Sequence, residues 1–297
     1  MPDRYRRGII GLPCAIVLAM LLSAAGYAGA ASLKVAPGRF IIHDVNPGVE
    51  YDLYKETGLR ITIYNDDNAS RTWILSVHRP SDRGKWERGY AEIPDAAWCR
   101  LDRNEVTVEP GGRAYAHLFL KVPDDPKFCN QHWVATVGVD GKPGAGGIAL
   151  AADIRVQIET ASEAAPAQRL AGSLAVAPSI VAFDNVAPGS VAKAQAILFN
   201  NESRAQTVRA VSLFDDGNVD PAVYLTHNHE RLPDSAWLAF PGMIEIPAGG
   251  EAAMEITLNV PNDLAHFDKK WESVLLLESG EGPPNMVRVR VTTKKTE

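Results

Sequence analysis

The sequence predicts an all-β chain of two tandem antiparallel sandwiches. It is written twice, its apolar pattern has a period of two, and turn residues punctuate it at short intervals. Ser32-Leu33-Lys34-Val35-Ala36-Pro37 returns as Ser173-Leu174-Ala175-Val176-Ala177-Pro178. Ile93-Pro94-Asp95-Ala96-Ala97-Trp98 returns as Leu232-Pro233-Asp234-Ser235-Ala236-Trp237, and Val122-Pro123-Asp124-Asp125 as Val260-Pro261-Asn262-Asp263. Self-similarity of this length means two copies of one domain. The division reads as domain 1 at 31–158, a linker at 159–172 and domain 2 at 173–297, each copy being large enough for its own core.

Residues 1–30 read as an export signal. Arg4, Arg6 and Arg7 form a basic start, residues 8–25 are mostly apolar, and Ala28-Gly29-Ala30 supplies small residues for cleavage before Ala31. Gly11, Pro13, Ser23 and Gly26 interrupt the apolar run, which favours cleavage over a retained anchor, and Cys14 sits too early for a lipid attachment. No second apolar stretch approaches the roughly 20 residues a membrane helix needs. The expected product is therefore exported, to the periplasm or the cell surface, with no membrane span once cleaved. The formal net charge is −6, and the segment removed carries three Arg and one Asp, so the remainder is more acidic still. Such a chain has no general attraction for nucleic acid.

The strands follow in order from alternation and β-branched content. In the first copy they are Leu59 to Tyr64, Thr72 to Val77, Ala114 to Leu120, His132 to Val137 and Asp153 to Ile158. In the second they are Ala194 to Phe199, Thr207 to Val211, Met254 to Val260, Ser273 to Leu277 and Met286 to Val291. Asn46-Pro47-Gly48, Glu109-Pro110-Gly111-Gly112, Ala187-Pro188-Gly189 and Ala248-Gly249-Gly250 separate them as turns. About seven short strands per copy with no long helical stripe points to a sandwich of immunoglobulin type. The segment 159–169 is small, polar and Pro-containing, as a flexible or extended tether is. Between its Pro-Gly turn and the Tyr64 strand the first copy carries an insertion, around Tyr51 to Thr57, that the second lacks.

Cys99 and Cys129 are the two cysteines left after cleavage. An even pair in an oxidising compartment predicts a disulfide. Closing such a loop stabilises by roughly 3 kcal/mol on the chain-entropy estimate. Aligned with Leu238 and Asp268, both are missing together from the second copy, as a bonded pair predicts.

Three features carry a wider resemblance. A Pro-Gly turn precedes a strand ending in Asn, at Pro47-Gly48 to Asn65 and Pro188-Gly189 to Asn200. A Trp leads into a Val-x-Val-x-Pro-Gly-Gly run, at Trp98 to Gly112 and more loosely at Trp237 to Gly250, and a long strand then ends in Val-Pro-Asp/Asn-Asp. In these the chain resembles bacterial secreted proteins with tandem immunoglobulin-like modules. Two-module cell-surface proteins such as the partners of WxL-type wall proteins look similar, and so, in architecture, do periplasmic pilus chaperones. The resemblance implies two exported sandwiches that act by recognising other molecules.

Residues shared by the copies are most simply explained by packing and turns. Trp98/Trp237, Phe128/Phe267 and Trp133/Trp271 read as core anchors, and Asp95 and Asp234 as turn residues. Asn68-Ala69-Ser70 and Asn201-Glu202-Ser203 match the glycosylation pattern but read as turns between strands. Residues not shared are the functional candidates. The 78–90 segment places Arg79, Arg83, Lys85 and Arg88 among Trp86 and Tyr90, a composition suited to an exposed binding loop for a glycan or an acidic protein. His227 and His229, at i, i+2 on an expected strand edge, could share a metal with a further ligand such as Asp215, Asp216 or Glu230.

Catalytic signatures are missing: no Gly-x-Ser-x-Gly elbow, no His-Glu-x-x-His, no phosphate loop and no dinucleotide fingerprint. Gly141 to Gly147 reads as a hairpin. The expected role is a non-enzymatic binding or structural protein of the cell envelope without cofactor, whose partner is an envelope protein or a glycan. The alternative is a periplasmic chaperone or assembly factor that pairs an edge strand with its subunit.

Overall fold

The computed structural model describes residues 33–84, 86–142, 150–166, 169–214, 225–280, 282 and 284–295. The export signal at 1–30, Lys85, Asp215 and Asp216 lie outside them, as does most of the Gly141 to Gly147 hairpin. Domain 1 is built from β1 (Lys34–Ala36), β2 (Arg39–Val45), β3 (Glu50–Asp52), β4 (Ile61–Tyr64), β5 (Arg71–His78) and β6 (Ala91–Glu92). It continues with β7 (Cys99–Leu101), β8 (Glu105–Val108), β9 (Arg113–Ala116), β10 (Leu118–Lys121), β11 (His132–Gly141) and β12 (Ala151–Thr160). Domain 2 contains β13 (Leu174–Ala177), β14 (Ile180–Val186), β15 (Val191–Asn200), β16 (Gln206–Ser212) and β17 (Glu230–Arg231). Its remaining strands are β18 (Leu238–Ala239), β19 (Met243–Ile246), β20 (Glu251–Asn259), β21 (Lys270–Ser279) and β22 (Asn285–Thr293). Two one-turn helices, α1 (Leu53–Thr57) and α2 (Pro80–Arg83), belong to domain 1.

Each copy is an immunoglobulin-like sandwich. The larger sheet of domain 1 has the order β2-β12-β11-β5-β8, and that of domain 2 the matching order β14-β22-β21-β16-β19. The facing layer is β1-β4-β9 with β3-β10-β7 in the first copy and β13-β15-β20-β18 in the second. Period-two alternation sorts the faces. Trp133, Ala135, Val137 and Val139 of β11 enter the domain 1 core, and Trp271, Leu275 and Leu277 of β21 enter that of domain 2.

The sandwiches are not wholly antiparallel. β2 runs parallel to β12, and β14 parallel to β22, because the chain changes sheet after its first short strand in each copy. The cis peptides Ala36-Pro37 and Ala177-Pro178 lie at those crossings. The expected Ala114 to Leu120 strand is split into β9 and β10, His117 bonding instead to the Asp102 side chain through its backbone N–H at 2.8 Å.

The repeated turns are built by buried polar side chains. Asn65 and Asn200 are fully buried where β4 and β15 end. Asn200 donates to the carbonyls of Arg204 and Pro247 at 2.6 and 2.9 Å and accepts from Glu202 N–H at 2.9 Å. Asn65 repeats this with Ala69, Val108 and Asp67. Asp95 and Asp234 cap the following 3-10 turns by accepting from the N–H two residues on, at 2.8 and 2.9 Å.

The aromatic anchors form one trio in each domain, Trp98, Phe128 and Trp133 in the first and Trp237, His266 and Trp271 in the second. The counterpart of Phe128 is therefore His266, not Phe267. The 3-10 turns Pro126–Phe128 and Leu264–His266 fix this register, which also places Phe267 opposite Cys129. Removing the Asn200 amide strands buried backbone groups. Asn200→Ala should cost on the order of 1–3 kcal/mol, whereas Asn68→Ala, at an exposed turn, should stay within about 0.5 kcal/mol. Urea unfolding midpoints read both.

Candidate functional site

The interior of the molecule does not end at the domain boundary. Alternation puts Glu272, Val274 and Leu276 of β21 and Met286 and Arg288 of β22 on the face turned away from the domain 2 core. These five are buried nonetheless. Tyr90 and Val134 of domain 1 pack against Val274, Leu276 and Met286 in one apolar cluster. Each large apolar side chain buried there stabilises by about 1.5–3 kcal/mol. Gly89, with φ +86°, lies so close that a Cβ would stand 3.1 Å from Leu276 Cδ2 and 3.3 Å from Met286 Sδ.

A buried ionic group closes this junction. Arg288 has no exposed surface. Its Nε and Nη2 donate to Glu159 of β12 at 2.6 and 2.5 Å in a two-point fork, and its Nη1 donates to Glu272. Tyr90 donates its hydroxyl to Glu159 at 2.5 Å, and His43 Nδ1 lies 3.1 Å from the same carboxylate. Glu272 is further held by Arg290 at 3.1 Å and by Thr226 N–H at 3.1 Å. Burial pushes the Glu159 carboxyl upward, but the Arg288 charge and hydrogen bonds, with His43, outweigh it and hold it well below the usual carboxylate range. Burial likewise works against the Arg288 charge, and Glu159 and Glu272 reverse that and raise it. Strongly shifted groups are a mark of function when poised for chemistry. Here each charge is neutralised by a partner in the other domain or on the neighbouring strand, which is a structural lock.

Around the lock, Asn130 joins the linker to domain 2. It sits at φ +57°, accepts from Ser179 N–H at 2.8 Å and from Glu163 N–H at 3.0 Å, and donates to the Glu163 carbonyl at 2.9 Å. Ser162 Oγ accepts from Ile180 N–H at 2.9 Å, and Leu170 is buried against Ala175 and Ala177. The linker ends that are described are thus fastened to both domains rather than free.

His132 stands beside the lock, its Nδ1 3.1 Å from Asn285 Oδ1 across the domain boundary. Burial is the main cause that brings its pKa from 6.5 to about 4, with Arg288 adding to the shift and Glu159 opposing it. It is neutral in the folded protein at neutral pH.

The 78–90 segment is not a free binding loop. Arg79 pairs with Glu92, Arg83 reaches Asp140 at 3.1 Å and His78 at 3.0 Å, and Arg88 reaches Glu278 of domain 2 at 3.2 Å. Tyr90 is 1% exposed. Arg83 and Arg88 look free in a local reading because Asp140 and Glu278 lie 57 and 190 positions along the chain. Trp86 keeps the expected exposure, at 55%. It borders an open groove of about 700 Å³ between the domains, whose walls include Pro94 and Gln131 from the first and Leu174, Pro284 and Asn285 from the second.

The other candidates are also placed differently. Cys99 and Cys129 are two buried thiols and not a disulfide. Both lie in extended backbone, each directly after a member of the aromatic trio, Trp98 and Phe128. Cys99 enters the domain 1 core, and Cys129 meets Glu163. Burial raises their pKa values to about 12 and, with Glu163, about 11, so both stay protonated and inert at neutral pH. His227 and His229 occupy a tight turn closed by His229 N–H to the Thr226 carbonyl at 3.0 Å, with Asn228 at φ +64°, not a strand edge. Among the described residues no group of three His, Cys, Asp or Glu could hold a metal ion, and no helix is long and apolar enough to cross a membrane.

No protein-family model and no curated protein matches the chain. Solved structures similar in fold include a protein of unknown function from Porphyromonas gingivalis, at 15% identity and TM-score 0.35, over 88% of this chain and 99% of that one. The periplasmic chaperone SfaE is similar at 10% identity and TM-score 0.29, over 88% and 100%. The E. coli chaperone DraB is similar at 9% identity and TM-score 0.30, over 87% and 98%.

Two outcomes follow from the junction. Arg288→Met leaves two buried carboxylates without their cation and should cost about 3–5 kcal/mol in urea unfolding. For His132 the folded pKa of about 4 lies below the unfolded 6.5, so its contribution is complete above pH 6.5 and is lost as pH falls toward 4. That loss is on the order of 3 kcal/mol. Unfolding of His132→Asn measured across this window should show a flatter pH dependence than the parent protein. Loss of Glu159 pairing acts in the same direction at lower pH, since its folded pKa is depressed.

Proposed function

We propose that this chain is an exported, non-enzymatic protein of the cell envelope that holds a protein partner in the groove between its two immunoglobulin-like domains, as an assembly factor or chaperone does. The observation that carries this reading is the combination of a locked junction with an open, ring-lined groove directly beside it. Ligand sites favour domain interfaces where apolar walls meet a few fixed polar groups. Gln131, 6% exposed, and Asn285 are such groups, the first donating to the Ala171 carbonyl of the linker at 3.4 Å and the second lying 3.1 Å from His132 across the junction. An exposed Trp beside prolines is the side chain that dominates binding energy at protein interfaces.

A strand-pairing mode is the second reading, and the edges of the large sheets limit where it acts. β12 is flanked by β11 and β2, so the last strand of domain 1 offers no free edge over its paired length. β19 is an edge strand, and its Met243 is 62% exposed. A photo-reactive residue at Trp86 should crosslink an exported polypeptide, while the same residue at Leu264, which is 82% exposed in domain 2, should not. Trp86→Ala should weaken the partner so identified by about ten-fold or more, read by titration calorimetry. Crosslinking centred on Met243 with an unaffected Trp86→Ala variant would instead support edge pairing.

A further inference from the structure

The two copies differ most sharply on the outer face of the smaller layer of domain 1. Register places Leu120 opposite Cys99 and Leu258 opposite Leu238, so β9–β10 and β20 superpose position by position. The outward residues of the first copy are then Arg113, Tyr115, His117, Phe119 and Lys121. Their counterparts in the second are Glu251, Ala253, Glu255, Thr257 and Asn259. A basic, aromatic stripe has replaced an acidic, small one on the same scaffold. Packing requirements do not explain the change, since these side chains point away from both cores.

The insertion found only in the first copy builds onto the same face. Asp52 caps α1 by accepting from Tyr54 and Lys55 N–H at 3.2 Å, and this lays the Tyr54 ring on His117, with centroids 4.3 Å apart. Arg60 lies 3.6 Å from the Tyr115 ring and 5.7 Å from that of Tyr54, while Lys34 sits over Tyr64 at 5.0 Å. Arg100 lies over Phe119 and pairs with Glu50. Lys34, Arg60, Arg113 and Lys121 have no carboxylate partner among the described residues. In domain 2 Leu170 of the linker packs on Ala175, Ala177 and Phe199 of this layer, and the face carries the Lys193–Glu255 pair at 2.8 Å.

We infer that this face of domain 1 is a binding surface for an acidic polysaccharide, a site independent of the groove between the domains. Outward residues repeat every ~7 Å along a strand, so the stripe offers rings in a line with a cation at each end, some 27 Å apart. Sugar rings stack their apolar faces on aromatic side chains. A guanidinium that uses its flat face on a ring keeps its N–H edge for a carboxylate. β10 is hydrogen-bonded on both sides, to β3 and β7, and β4 to β1 and β9, while β9 pairs with β4 alone. Over β4 and β10 the surface therefore offers a face and not an edge, which suits a polymer of rings better than a peptide that adds a strand. Its charge is opposite to that of the chain as a whole, which is acidic.

The test is retention of the purified full chain by immobilised polygalacturonate at low salt, against dextran, polyglutamate and anionic phosphatidylglycerol vesicles. Preferential retention by polygalacturonate, lost on raising salt, is the expected result. Arg113→Glu and Lys121→Glu, both at exposed positions, should each weaken it by about ten-fold with thermal unfolding unchanged, as should Tyr115→Ala. Lys193→Ala, on the equivalent face of domain 2, should leave retention as it is. The inference is overturned by no retention on polygalacturonate, by equal or stronger binding to polyglutamate or vesicles, or by charge-reversal variants that bind like the parent chain.

Discussion

One arginine decides how the two halves of this molecule meet. Arg288 is buried between carboxylates contributed by both domains, and taking three charged groups out of water costs several kcal/mol per ion unless the geometry returns it. The geometry does so through the two-point fork to Glu159, the bond to Glu272 and the supporting bonds from Tyr90, His43, Arg290 and Thr226. The observed placement of the sandwiches makes all of these bonds together. The same position in the first copy is Arg155, which pairs with Glu87 at 3.1 Å and stays partly exposed. Each last strand thus carries an arginine at this register, and the one in the second copy lies on the face that domain 1 covers.

That covering explains features on both sides of the junction. β21 is buried along almost its whole length, as a strand packed on both faces must be. One face rests on its own core and the other on Tyr90 and Val134. The 78–90 segment crosses the outer face of the domain 1 sheet to reach this point, and its Arg79, Arg83 and Arg88 pair with Glu92, Asp140 and Glu278. The groove and Trp86 are what remains open once the segment is seated.

The fold was legible because it rests on local rules. Alternation placed the strands, Pro-Gly and Asn turns placed their ends, and duplication gave the domain number. The Asn65 and Asn200 turns were visible as strand-ending asparagines before their bonds were. The junction was not legible, since Tyr90 meets Glu159 across 69 positions and Arg88 meets Glu278 across 190, and no composition window spans either distance. A clue was present in Ser273-Val274-Leu275-Leu276-Leu277, where alternation gives way to a continuous apolar run, the mark of a strand buried on two sides. The cysteine pairing failed for a different reason. It was read from an even count and from joint absence in the second copy, and neither carries a distance or a direction between the two thiols. The Phe128 alignment slipped by one position because the Phe267 side chain type was matched before the turn that sets its register.

The central claim is that the buried network makes one cooperative body of two domains. Scanning calorimetry of the full chain at pH 7 tests it directly, because independent domains and a locked pair unfold differently. The account predicts a single transition whose van 't Hoff and calorimetric enthalpies agree. Two separable transitions, each with the enthalpy of one sandwich, would contradict it.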